Sequence, residues 1–218
     1  MDTRTLTDIW PFFGLTITTP RVTLSYPTDE GIAALIALAD EGIHPSNTSP
    51  FSGPWSLKPR AERTISTAQF HWGTRSTLSA DKWQLPFVVT VDGTVVGSQD
   101  IFTEDFASTK VATTGSWLGQ AHQGQGIGTE MRRAVLFLIF EGFGAAMAET
   151  EAFAGNDASI GVTEKLGYQP NGETIAKRGD GNAVRSLRYR LEREQWLQAR
   201  PNDITIEGLA PCLPLLGL

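Results

Sequence analysis

The residues with the clearest chemical promise are the glycines of Gln123-Gly124-Gln125-Gly126-Ile127-Gly128, followed by Thr129 and a strongly apolar helical stretch. Glycines at alternating positions let a chain present successive backbone N–H groups at the start of a helix. The helix dipole there favours an anion, so the implied chemistry is capture of a phosphate or diphosphate. The loop lacks Gly-Lys-Ser/Thr and is not a P-loop. Its spacing is G-x-G-x-G, and Glu141 falls inside the following helix, which disfavours a dinucleotide site. Taken alone, the triplet suits a flexible turn equally well.

Carboxylates and hydroxyls lie on either side of this loop. Asp100 follows Gly97-Ser98-Gln99 in an apolar run, with Glu104 and Asp105 beyond it. Glu149 and Glu151 share one face of a strand-like segment, where paired carboxylates could raise each other's pKa. Each of these acids suits a general base, and each also suits a solvated surface. Ser159 suits the third helical position behind an Asn156 cap. His44, Phe51 and Trp55 stand on a proline-rich stretch, as pocket walls or as packing. Cys212 is the one cysteine, so no intrachain disulfide and no cysteine-built zinc site is expected. The three histidines, His44, His71 and His122, match no metal spacing, and no metal is expected.

The elements that must position these groups can be read from periodicity. Residues 21–26 alternate as a strand. Thr28 then caps a helix with Asp29 and Glu30 in its first turn and Ile32, Leu35, Ile36 and Ala39 on one face. Residues 41–59 carry Pro45, Pro50, Pro54 and Pro59 and predict a long irregular loop. Residues 60–74 resume helical spacing, with Ala61, Ile65, Ala68 and Trp72 as the expected inner face. Residues 85–102 predict a hairpin turning at Asp92-Gly93. A strand over 111–118, the glycine loop, a helix over 129–143, a strand over 146–153, a short helix from Asn156 and a strand over 183–191 complete the order. That order predicts one mixed α/β domain, with the strands on either side of the glycine loop parallel.

Composition narrows the function classes. The chain has 218 residues, 40% of them hydrophobic, and a formal net charge of −6. It is long enough for one full core. The acidic balance argues against a phosphate-backbone binder, so no nucleic-acid partner is expected. No apolar run reaches the length of a membrane span, and a cytoplasmic protein is expected.

Two ordered motifs carry a resemblance. Gln123-x-x-Gly126-x-Gly128 resembles the acyl-CoA signature of GCN5-related N-acetyltransferases, the GNAT superfamily. Residues 156–168, Asn-Asp-Ala-Ser-Ile-Gly-Val-Thr-Glu-Lys-Leu-Gly-Tyr, resemble a segment of its RimJ/RimL-type branch. Gly115-Ser116-Trp117-Leu118, Glu149 and the opening Thr19-Pro20-Arg21-Val22-Thr23-Leu24 fit the same branch. The proline-rich loop with Phe51 and Trp55 is similar to an actinobacterial subgroup, some members of which are described as succinyltransferases.

The resemblance covers residues 19–193, leaving 1–18 as an N-terminal extension and 194–218 as a loosely packed tail. It implies the GNAT fold: a strongly twisted mixed sheet flanked by helices, split between its fourth and fifth strands at 111–118 and 146–153. It implies acetyl-CoA, or another acyl-CoA such as succinyl-CoA, as co-substrate. Trp117, Leu118, Gln123, Gly124, Gln125, Gly126, Ile127, Gly128, Thr129, Asn156 and Ser159 would hold it. The acceptor would be a small amine or a protein N-terminal amine, bound near Phe51, Trp55 and Asp100, and a homodimer is a further expectation. Asp100, Glu149 and Ser159 are the catalytic candidates. The sequence departs from the family at two points: Thr163 stands where relatives carry an acidic tyrosine, and Thr113 and Thr114 where a fourth-strand glutamate occurs. Those departures leave open a non-catalytic acyl-CoA-binding regulator.

Overall fold

A computed structural model describes residues 4–45 and 49–218. The chain opens with a short helix α1 (Leu6–Ile9), a 3-10 turn (Pro11–Gly14), β1 (Thr16–Thr18) and β2 (Val22–Ser25). Next come α2 (Asp29–Glu41), capped by Thr28, and α3 (Arg60–Ser76). The hairpin is β3 (Lys82–Val91) and β4 (Thr94–Glu104). Its Asp92 and Gly93 have φ of 48° and 76°, the positive pair that a type I′ turn demands. A short α4 (Phe106–Thr109) leads into β5 (Val111–Leu118), α5 (Ile127–Phe137) with a π-helical extension (Leu138–Gly142), and β6 (Met147–Phe153). The chain continues through α6 (Asp157–Lys165), β7 (Gln169–Lys177), β8 (Ala183–Glu192), α7 (Arg193–Gln198) and β9 (Thr205–Glu207).

Among the described residues the sheet has nine strands in the order β7-β8-β6-β5-β4-β3-β2-β1-β9. β5 and β6 run parallel, and their neighbours pair antiparallel. The architecture is the expected α/β GNAT fold, an open mixed sheet flanked by helices. The expected split lies at the expected residues, though it falls between the fifth and sixth strands because β1 precedes the strand counted first. α5 and its extension cover one face, where Met131, Val135 and Ile139 belong to the same buried cluster as Trp83, Leu85, Phe87 and Val89. Burying such side chains fully is worth about 1.5–3 kcal/mol each. α2 covers the other face, with Gly31 against Val88.

Three expectations need correction. The inner stripe of α3 is Thr67, His71 and Thr74, while Ile65 and Trp72 are 61% and 50% exposed. The arginine side of α3 faces α2, with Arg63 bonding Asp40 at 2.6 Å and Arg75 bonding Asp29 at 2.8 Å. The tail after residue 193 is not loosely packed. Trp196, Ile204, Cys212 and Leu216 are buried in the same core as Phe12, Leu15 and Ile17. β9 pairs with β1, Thr16 opposite Glu207 and Thr18 opposite Thr205. β7 was not foreseen. It is an edge strand whose residues are mostly exposed, and Pro170 and Gly172 break its pattern.

Candidate active site

The ladder between β5 and β6 holds for three rungs, Val111–Met147, Ala112–Ala148 and Thr113–Glu149, and then ends although both strands continue. The strands part into a wedge, and a cavity of about 720 Å³ fills it. Gly115, Ser116, Trp117 and Leu118 form one wall and Glu151, Ala152, Phe153 and Ala154 the other. The glycine loop closes the mouth. Along this edge of β5 the Thr114 carbonyl accepts from the Thr150 hydroxyl at 3.2 Å and the Leu118 carbonyl from Gln123 at 3.0 Å. The backbone between them, which no neighbouring strand pairs, suits an extended ligand, since a buried backbone group needs a partner.

At the mouth, Gly124 and Gly126 have φ of 73° and 80°, and Gly126 is the N-cap of α5. A Cβ on Gly128 would stand 3.5 Å from Val162 and 3.7 Å from Leu118, so this glycine keeps the wedge open. Gly124, Gly126, Gly128, Thr129, Asn156 and Ser159 all line the cavity. Gln123 lines it too, but its side-chain amide is engaged, donating to the Ile43 carbonyl at 2.7 Å and to the Leu118 carbonyl at 3.0 Å. It ties the proline-rich loop to the end of β5. Two expected contacts turn away. The Ile127 side chain is buried in the core on the stripe of Met131 and Val135, and Gln125 points outward to the Ala121 carbonyl at 2.9 Å.

Arg21 was not foreseen in this role. Its guanidinium bonds Glu130 at 2.6 Å and the Gln125 carbonyl at 3.3 Å, and it lies 3.4 Å from where a Gly126 Cβ would be. A cation beside a helix N-terminus suits a diphosphate. Burial pushes the Glu130 carboxyl up, but bonds from Thr19 and Arg21 outweigh it and hold it below its ordinary range.

The catalytic candidates separate. Asp100 on β4 faces Gly115 on β5, next to the cavity wall rather than on it. Burial pushes its carboxyl up to about 7, opposed by a hydrogen bond from Ser98. Part of the residue stays accessible even so. Glu149 and Glu151 do share a face, but each holds its own partner: Asn171 donates to Glu149 at 3.0 Å and Ser186 donates to Glu151 at 3.1 Å. Ser159 faces the cavity while its N–H bonds the Asn156 side chain at 3.3 Å, so the capping role and cavity access coexist. Thr163 is fully buried, donating to the Ser159 carbonyl at 2.8 Å, and takes no place in the cavity.

The proline-rich loop borders the cavity with His44, Pro45, Ser49, Pro50 and Phe51; residues 46–48 lie outside the described part. Trp55 stands behind this wall. Its ring lies 5.0 Å from Phe51 and 5.7 Å from Trp117, so it braces the loop against β5. The turn between β7 and β8 closes on the same loop. The Gly179 N–H donates to the Phe51 carbonyl at 2.8 Å, and a Cβ there would come within 2.4 Å of the Gly53 oxygen.

At the vertex lies a second unforeseen arginine. Arg132, one turn beyond Gly128 on α5, is 3% exposed and lines the cavity floor. It donates to Ser116 at 3.0 Å, Thr150 at 3.1 Å and Gln99 at 3.4 Å. A charged residue at an inward helical position, between Met131 and Val135, was the sequence signal for it. Among the described residues no cluster of three or more His, Cys, Asp or Glu side chains could hold a metal, and no helix is long and apolar enough to cross a membrane.

Solved structures share this fold. RimJ of Mycobacterium smegmatis, in complex with CoA-disulfide, superposes with a TM-score of 0.69 over 87% of this chain and 96% of its own, at 20% identity. RimL, a ribosomal L7/L12 α-N-protein acetyltransferase in complex with coenzyme A, gives 0.68 over 81% and 97%, at 15% identity. The microcin C7 self-immunity acetyltransferase MccE, in complex with acetyl-CoA and AMP, gives 0.61 over 79% and 93%, at 17% identity. At such identities the likeness is one of fold. The sequence itself is more specific: over residues 21–169 it matches the model of the acetyltransferase (GNAT) domain, and the chain belongs to that family.

Proposed function

We propose that this protein transfers an acetyl group from acetyl-CoA to a primary amine by direct attack in a ternary complex. The observation that carries the reading is the line from the glycine loop, along the parted strands, to Gly115 beside Asp100. The loop and Arg21 hold the diphosphate, and the free edges of β5 and β6 hold the pantetheine arm. The amine enters under the proline-rich loop and meets the acyl carbon near Gly115. Asp100 takes its proton, directly or through one water, because a carboxyl near pH 7 is matched to that task. Ser159 gives a hydrogen bond to the leaving sulfur.

The acceptor is a small amine or a protein N-terminal amine, drawn by the acidic field of a chain with net charge −6. Residues 19–193 carry the activity, in a cytoplasmic enzyme for which a homodimer is expected; no step depends on either point. Succinyl-CoA is the alternative donor. A regulator that binds acyl-CoA without turnover is the second reading, and the raised carboxyl of Asp100 speaks against it. The test incubates the protein with acetyl-CoA or succinyl-CoA and a panel of amines, and reads product masses. Acetylated amine that disappears with Asp100→Asn supports the proposal. Binding of acyl-CoA with no product from any amine would leave the regulator.

A further inference from the structure

Buried cations are costly unless an anion offsets them. Of the half-buried arginines, Arg63 is matched by Asp40 and Arg75 by Asp29, while Arg193 donates to the Phe140 and Ala145 carbonyls. Arg132 is more deeply buried than these, yet its partners Gln99 of β4, Ser116 of β5 and Thr150 of β6 are all neutral. Among the described residues no carboxylate lies within 4.0 Å of it. The titratable group that faces it among the described residues is Tyr168, whose phenol burial pushes above its ordinary value, so it stays neutral. The Tyr168 hydroxyl, which lies near Arg132 and Thr114, makes no hydrogen bond among the described residues. Three bonds leave two of the five guanidinium N–H donors to spare.

The position matters as much as the charge. Thr150 is the first wall residue of β6 beyond the last rung, Thr113–Glu149, and Ser116 stands three residues beyond that rung on β5, so the guanidinium bridges the parting strands just inside the vertex of the wedge. An extended arm entering from the glycine loop ends there. On the acyl-CoA reading, that end is the thioester.

We propose that Arg132 is the counter-charge for the thiolate that leaves during acyl transfer. The inference rests on the acyl-CoA reading above. In the step, the amine lone pair forms the bond to the acyl carbon and the carbon–sulfur bond breaks with its electron pair going to sulfur. The amine proton goes to Asp100. The sulfur departs as a thiolate beside the guanidinium and takes a proton from solvent after release. This explains how the site manages with Thr163 where a tyrosine would stand. A serine hydroxyl is too weak an acid to protonate a thiolate outright, but it can hydrogen-bond one that a fixed cation already stabilises.

The test reads the thiol rather than turnover. The ultraviolet absorbance of thiolate is titrated for free CoA and for CoA bound to the protein. Bound CoA is expected to ionise about 1 to 3 units lower than free CoA, the usual effect of a cation within reach. Arg132→Met should remove that shift, and Arg132→Lys should keep part of it. Desulfo-CoA, which lacks the sulfur, should bind wild type and Arg132→Met within about twofold, because the cation acts on charge that this ligand cannot carry. Bound CoA that ionises as in solution would overturn the proposal even if no variant folds. So would an equal loss of CoA and desulfo-CoA affinity in Arg132→Met, which marks a strut between strands. A KM rise confined to succinyl-CoA, with the thiol shift intact, would mark a carboxylate pocket and overturn it as well. Failure of wild type to bind desulfo-CoA would instead sink the acyl-CoA reading itself.

Discussion

Asp100 on β4 stands directly across the strand pair from Gly115 on β5, so the carboxyl has a neighbour with no side chain. A Cβ built on Gly115 would touch only Phe102, at 3.9 Å. The space beside the carboxyl is thus left by sequence choice, not by backbone strain. Gly115→Ala should fold with unchanged or slightly higher stability, since the fit is ordinary and the unfolded chain loses freedom. Its kcat/KM for the amine should fall about tenfold, as one methyl group displaces a reacting atom. Melting curves and acceptor kinetics check both halves.

The pH dependence follows from Asp100. A base must be ionised, so kcat/KM should rise with pH and level off above about 7, the value to which burial pushes this carboxyl. Asp100→Asn should remove that limb and most of the activity. The stability sign is opposite. A carboxyl raised in the folded state stabilises the fold fully below its unfolded pKa, and that contribution is lost as pH climbs through the folded value. Asp100→Asn should therefore melt above wild type at pH 8, with the gap closing toward pH 4. Calorimetry across that range checks it.

The glycine loop predicts a clean separation of binding from folding. Gly128→Val places methyl groups between Leu118 and Val162, in the wedge itself. The thermal stabilisation by CoA, which arises by mass action on the native state, should vanish while the melting point without ligand moves little. Gly126→Ala acts differently. Its φ of 80° strains any side chain, at about 1–2 kcal/mol, so the protein alone should melt earlier.

Ser159 carries two duties. Asn156 caps the helix through the Ser159 N–H, which Ser159→Ala keeps. Stability should therefore hold, while kcat falls by about 10²-fold if the hydroxyl serves the sulfur. An unchanged kcat would leave Ser159 with the helix alone.

Trp55 braces Phe51 and Trp117 without lining the cavity. Trp55→Ala should loosen the acceptor wall, raising KM for the amine several-fold and leaving KM for acyl-CoA near its original value. Steady-state kinetics on both substrates, with a melting curve, check this. Lost stability with unaltered acceptor KM would make Trp55 packing alone.

Legibility in the sequence followed the physics. The Asp92-Gly93 turn, the Thr28 cap and the glycine loop are local, fixed by dihedral preferences and nearby hydrogen bonds. They could be read. The rotation of α3 shows in its pairings with Asp40 and Asp29, which lie on the preceding helix beyond the long loop, so the apolar spacing of Ala61, Ile65, Ala68 and Trp72 misled. The short strands β1 and β9 have no period to detect in three residues each. Arg21 and Arg132 matter through what they face across the fold. Ionisation of Asp100 is likewise a property of burial, which its neighbours Ser98 and Gln99 in sequence only hinted at.

The β1–β9 pairing has a consequence for the order in which the protein is made. The partner strands lie nearly the whole chain apart, and Phe12, Leu15 and Ile17 wait for Ile204, Cys212 and Leu216 to cover them. Contacts of such separation form late, because the long loop between them must close first. While the chain is still growing on the ribosome, that apolar edge stays bare and invites chaperones or wrong partners. The glycine loop and the parted strands, by contrast, lie wholly between these ends, so a ligand-competent wedge can take shape before the two ends of the sheet are sealed.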